Sequence, residues 1–140
     1  MNYSYSGDNI TSMIDGFLDS AELADAVDEN GDPVEGEWTD SARARARVTC
    51  VGFLACVAET LNNPSPTQTL SWINVPAALL PGGDHGQAEY MGHNLWLSSQ
   101  GHGTGFWDRG YGPAGDLFHK WAKTFSHDVY VTDSGKLELS

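Results

Sequence analysis

Basic residues are scarce in this sequence, and the first 40 positions hold no Lys or Arg. The 140 residues carry 7 Lys and Arg against 19 Asp and Glu, a net charge of −12. Residues 1–40 contribute −11 of this (Asp8, Asp15, Asp19, Glu22, Asp25, Asp28, Glu29, Asp32, Glu35, Glu37, Asp40) and residues 41–140 only −1. Negative charge repels the phosphates of nucleic acid and of membranes, so direct contact with either is not expected. It favours a basic partner, or solubility alone.

Cysteine is nearly missing too. Cys50 and Cys56 are the two present. Six residues along one helix rise roughly 9 Å, too far to bridge, so both are read as reduced core residues of a cytosolic chain. No apolar run approaches the ~18 residues of a membrane-spanning helix. Met1–Ser6 lacks the basic start and apolar stretch of a signal peptide, so a soluble cytoplasmic protein is the expectation.

Catalytic signatures are also wanting. There is no G-x-S-x-G nucleophile elbow and no phosphate-cradling G-x-x-x-x-G-K-[ST]. The histidines (His85, His93, His102, His119, His127) stand in no close pair, and no C-x-x-C occurs. Zinc ligands usually come in such pairs, so no metal and no cofactor is expected. Asp28, Asn30, Gly31 and Glu37 faintly resemble a calcium loop. Ala26 then falls at the first ligand place, and Pro33 where a small sheet contact belongs.

What is present reads as a single α+β domain, 1–140: a small antiparallel sheet of two hairpins packed against about three helices. Residues 1–40 form an acidic helical arm. Thr11 caps a helix over 12–26 that carries Met13, Ile14, Phe17, Leu18, Ala21, Leu23 and Ala24 near helical spacing. Asp28–Pro33 is a loop. Residues 41–85 hold a helix capped by Thr39 or Asp40, apolar nearly all round from Val48 to Leu61 and so read as central and buried. Residues 67–82 are ambiguous between strand and helical turn, with Pro76 starting a turn and 81–84 a loop. Residues 86–140 read as hairpin, helix, hairpin, after one possible helical turn at 86–91. Leu95–Leu97 is a strand, Gln100–Gly103 a turn and Gly105–Trp107 the return strand. A helix at 113–124 faces Leu117, Trp121 and Phe125 to the core and Lys120 and Lys123 outward. Asp128–Thr132, the turn Asp133-Ser134-Gly135 and Lys136–Leu139 close the second hairpin.

The densest stretch is Gly92–Gly110, with two Trp, one Phe, two His and five Gly in nineteen residues. Rings must be buried and glycines lose backbone entropy on folding, so this pattern answers to a structural demand. Its motif G-H-N-L-W-L-x-x-x-G-H-G-x-G-F-W-D-R-G, followed by a short helix and D-V-Y-V-T-D-S-G-K, resembles a family of small bacteriophage and prophage proteins. The likeness covers about residues 90–137. The chain departs from the family pattern at Asn94, where Asp is usual, and at Ser98-Ser99, where Thr-Arg is usual. The resemblance implies a phage origin and no assigned chemistry.

The expected function is therefore a non-enzymatic, phage-encoded accessory protein that binds and inhibits a host protein. Its most concrete form is a counter-defence inhibitor, of the anti-CRISPR or anti-restriction kind. The contact would run through Asp15, Asp19, Glu22, Asp25, Asp28, Glu29, Glu35 and Glu37 onto a basic nucleic-acid-binding surface. Three- and four-residue steps stack the helical acids on one stripe, a cost to the isolated helix. The competing expectation is a small metal-dependent or hydrolytic enzyme using His93, His102 and Asp108. The competing structural roles have His93 and His102 bonding backbone at a hairpin turn, His119 and His127 exposed, and Asp108-Arg109 as a salt bridge.

Overall fold

A computed structural model describes residues 7–62, 85–102 and 113–140, with side chains over 10–56, 88–102 and 118–140. The elements in chain order are α1 (Gly7–Asp25), α2 (Asp40–Asn62), α3 (His85–Gln100), α4 (Pro113–Ala122), a 3-10 turn (Lys123–Phe125), β1 (Val129–Val131) and β2 (Leu137–Leu139). The protein is α+β, mostly helical, with a two-stranded antiparallel sheet.

α1 forms because Ile10, Met13, Ile14, Phe17, Leu18 and Ala21 recur every three or four residues, and that stripe is buried. The helix starts at Gly7, one turn before the expected Thr11 cap. α2 is capped by Thr39, whose Oγ1 accepts the Ala42 N–H at 2.9 Å. Its buried stripe is Ala42, Ala46, Thr49, Cys50, Phe53 and Leu54. The expectation of a helix buried all round is corrected here: Val48 is 73% exposed, so α2 lies on the surface along one side.

The central helix is α3. The expected hairpin strand Leu95–Leu97 lies inside it, and every residue from Asn94 to Ser99 is buried. The sheet of two hairpins is thus corrected to one hairpin, and about three helices to four, among the described residues. Two features carry α3 through its glycines. A Cβ on Gly92 would stand 2.0 Å from the Met13 carbonyl oxygen of α1, and one on Gly16 of α1 would stand 1.9 Å from the Glu89 carbonyl oxygen. The two backbones touch, and only glycine permits it. Gly101 then ends the helix with φ +70°. Its N–H donates to the Ser98 carbonyl at 3.4 Å, and the His102 N–H donates to the Leu97 carbonyl at 3.2 Å. This double closure satisfies two helix-end carbonyls and needs a left-handed residue at Gly101. Gly105–Trp107, residues 67–82 with the turn from Pro76, and the loop 81–84 lie outside the described residues.

Aromatic rings fill the space around α3. Phe17 meets Trp96 edge to face at 5.2 Å, and Phe53 meets Phe118 likewise at 6.1 Å. Among the described side chains of α4, Phe118 and Ala122 are buried and Trp121 is only half-buried, as is Phe125 in the 3-10 turn that follows. Leu117 has no described side chain. Lys120 and Lys123 are exposed.

The C-terminal hairpin pairs Val129 with Leu139, Tyr130 with Glu138 and Val131 with Leu137. The Thr132 carbonyl accepts the Gly135 N–H at 2.9 Å to close the turn. Residues 37–39 run alongside β2: the Glu37 carbonyl accepts the Leu137 N–H at 2.8 Å, and the Thr39 N–H donates to the Leu137 carbonyl at 3.0 Å. The acidic segment is thereby tied to the other end of the chain.

Candidate functional site: an acidic face and a histidine-lined seam

The acids of α1 alternate with its buried stripe, so burying one face presents the other. Asp15 and Asp19 are exposed and Glu22 half-buried. Arg43 of α2 comes within 3.4 Å of Asp15. Both side chains are more than half exposed, so this pair is screened and contributes little.

The loop after α1 extends the same face. Asp28, Glu29, Glu35 and Glu37 are exposed. The Asp28 carboxylate turns inward on its own loop, where Oδ1 accepts the N–H of Asn30 at 2.8 Å and of Asp32 at 3.0 Å. That is how an Asp builds a turn, and it directs this oxygen at backbone. The Val34 N–H donates to the Ala26 carbonyl at 2.9 Å, which closes the loop. Among the described residues no group of three or more His, Cys, Asp or Glu could hold a metal ion.

Asp25 differs from its seven companions. Its Oδ2 accepts the Trp96 indole N–H at 2.6 Å and lies 2.7 Å from His102 Nε2. The carboxylate joins the C-terminal ends of α1 and α3, and supplies the acceptor that a buried indole requires. Its charge is engaged within the fold.

The histidines lie elsewhere than expected. His102 meets the Asp25 side chain in place of backbone. His119 Nδ1 lies 2.9 Å from Ser98 Oγ. His127 is half-buried, with Nε2 2.7 Å from Thr49 Oγ1 and Nδ1 2.8 Å from the Ser140 carbonyl, which accepts. Gln100 clasps the backbone of the same residue, donating Nε2–H to the His127 carbonyl at 2.6 Å and accepting its N–H at 3.1 Å. His127 thus links β1 and the C-terminus to α2 and α3. Ser98 is wholly buried, so its contact with His119 ties α3 to α4 within the core. His93 stacks on Tyr90, and its carbonyl accepts the Ser20 hydroxyl at 3.4 Å. Asp108 and Arg109 lie outside the described residues, as does the His85 side chain. Burial pushes the Cys50 thiol well above its ordinary range, which keeps it protonated and inert.

No protein-family model, curated protein or solved structure matches the chain.

Sequence reasoning missed Leu23 and Tyr90. Helical spacing put Leu23 with the apolar stripe, but it is 87% exposed and Tyr90 is 44% exposed. Leu23 stands on a ridge between two concavities. One, of about 560 Å³, lies between α1 and α3, and the other, of about 520 Å³, lies between α1 and residues 33–36. Asp19 lines both, with Glu89 on the first rim and Glu22 and Glu35 on the second. The signal for Leu23 was its company: it follows Glu22 directly and stands four residues, about one helical turn, after Asp19, which faces water.

Among the described residues no helix is long and apolar enough to cross a membrane.

Proposed function

We propose that the chain is a phage-encoded, non-enzymatic accessory protein that binds a host protein through its acidic face. The most concrete form is a counter-defence inhibitor, of the anti-CRISPR or anti-restriction kind, working in the host cytoplasm and occupying a basic nucleic-acid-binding surface. The observation that carries this reading is the convergence of acids from two segments: Asp19 and Glu22 of α1 and Glu35 of the following loop line one open groove, and Asp15, Glu29 and Glu37 are exposed as well. No Lys or Arg interrupts it within residues 1–40. A large field of one sign steers a basic partner to the surface and makes association fast and salt-sensitive. The phage-type motif of residues 92–110 supports the origin.

The test expresses the chain in cells that restrict phage by each of a panel of CRISPR and restriction systems. A second strain expresses the quadruple variant Asp19→Asn, Glu22→Gln, Glu29→Gln, Glu35→Gln. Asp25 is left intact because Trp96 and His102 depend on it. The expected result is restored plaque formation under one system, lost in the variant, with capture of the defence complex weakening as salt rises. No restoration under any system, or restoration that neutralisation leaves intact, overturns the reading.

A further inference from the structure

We infer that the partner's anchor is an arginine accompanied by an aliphatic side chain, the arginine seated in the groove between α1 and α3 and the aliphatic group against Leu23. This rests on the acidic-face reading and names what that face recognises.

The groove is lined by Gly16, Asp19, Leu23, Glu89, Tyr90 and His93, with Ser20 at its floor. Its depth follows from Gly16, which presents no side chain where α1 and α3 backbones meet. One wall is aromatic: the Tyr90 and His93 rings lie within 17° of parallel, centroids 6.1 Å apart. Carboxylates rim it at Asp19 and Glu89, both exposed. A flat aromatic wall beside two carboxylates suits a guanidinium, which is planar, stacks on aromatic faces and forks toward carboxylates. A lysine ammonium gains the charge term only. An acidic or phosphate-bearing occupant is repelled.

The second concavity supplies the apolar half. Leu23, Pro33 and Val34 line it, with Glu22 and Glu35 beside them. An exposed leucine between two acidic hollows is the anatomy of an interface centre, an apolar anchor ringed by polar groups. A second copy of the chain offers Arg45 and the exposed Val48 on α2, but two copies each bearing −12 repel one another.

The experiment titrates the purified full chain with three short synthetic peptides and reads backbone amide shifts by NMR and affinity by calorimetry. The first carries arginine and leucine two positions apart, the second lysine for arginine, and the third aspartate for leucine. The expected result is saturable shifts at residues 16–23 and 89–93, with the first peptide about tenfold or more tighter than the other two. Leu23→Asp and Tyr90→Ala each lower its affinity about tenfold or more while the melting temperature holds, since both side chains are exposed. Equal affinity for arginine and lysine peptides, or shifts confined to 28–37, overturns the inference. So does a dimer in solution that Arg45→Glu or Val48→Asp abolishes. If Tyr90→Ala retains full activity in the plaque assay while the neutralised variant loses it, the anchor is wrong and the acidic-face reading stands. If both lose nothing, the reading itself fails.

Discussion

α2 and α3 are built from contrasting material and end in opposite places. α2 carries Val48, Val51, Phe53, Leu54 and Val57 in one run, yet leaves Val48 in solvent. α3 carries Gly92, His93, Asn94, Ser98 and Ser99, yet is buried continuously from Asn94 to Ser99. Hydrophobicity alone would reverse them. The difference is clearance: α3 reaches the centre because glycine lets its backbone touch α1, and its two serines find partners there, Ser98 Oγ lying 2.9 Å from His119 Nδ1 and Ser99 Oγ donating to the Trp96 carbonyl at 2.8 Å. Burial depends on fit and on satisfied polar groups as much as on apolar character.

The sharpest way to break this contrast is one substitution placed on each helix. Gly92→Ala puts a methyl group against the α1 backbone, which has no rotamer to yield, and is expected to cost about 3 kcal/mol or more by urea denaturation. Gly16→Ala acts at the same crossing, and the double variant is expected to cost less than the two single losses together, because the helices separate once.

Next in size is the carboxylate that closes the α1–α3 pair. Asp25→Ala strands the Trp96 indole N–H and is expected to cost about 2 kcal/mol. Asp25→Asn keeps an acceptor oxygen there and is expected to recover roughly half of that loss. An Asp25 that served only a partner would leave the urea midpoint unmoved.

The buried side of α2 gives a pH signature. Cys50 keeps its proton in the fold beyond the pH at which the unfolded thiol, near its ordinary value of 9.0, releases it. Its contribution is therefore fully present below that pH and is lost as pH rises above it, by at most about 1.4 kcal/mol per pH unit. Urea midpoints measured on either side of pH 9.0 follow this, and Cys50→Ala is expected to remove that part of the slope.

The smallest effect completes the pair with Gly92. Gly52→Ala on α2 meets the Phe125 ring at 3.2 Å, and this ring is half-buried and can shift. The gain in helix propensity is expected to leave the variant unchanged or stabilised by up to about 0.5 kcal/mol. A loss as large as that of Gly92→Ala would erase the distinction between the helices.

Legibility in the sequence followed the same lines. α1, the Thr39 cap and the hairpin around Gly135 announce themselves through periodicity, a hydroxyl before a helix and a tight turn. α3 did not, for two reasons. From Asn94 to Ser99 α3 is buried on every side, and such a stretch loses the alternation that marks an amphipathic helix. Its Gly92 and Gly101 also invited a reading as turn residues, when one is a contact and the other a helix end. Ala88, Met91, Leu95 and Ser99 keep helical spacing through the stretch, the trace that was available. The acidic residues were legible as a group, but not Asp25's inward role, since a carboxylate's partner 71 residues away leaves no local pattern. Leu23 and Tyr90 were illegible as a pair because they come from separate helices.

The backbone contact between Gly16 and Gly92 has a consequence for recognition. Where side chains separate two helices, the width of the cleft beside them drifts with rotamers, and a ligand must freeze those rotamers as it binds. Here the spacing is set by one helix backbone resting directly on the other. The floor of the cleft is preorganised, and on the arginine proposal the ordering cost of binding falls only on the side chains of its walls.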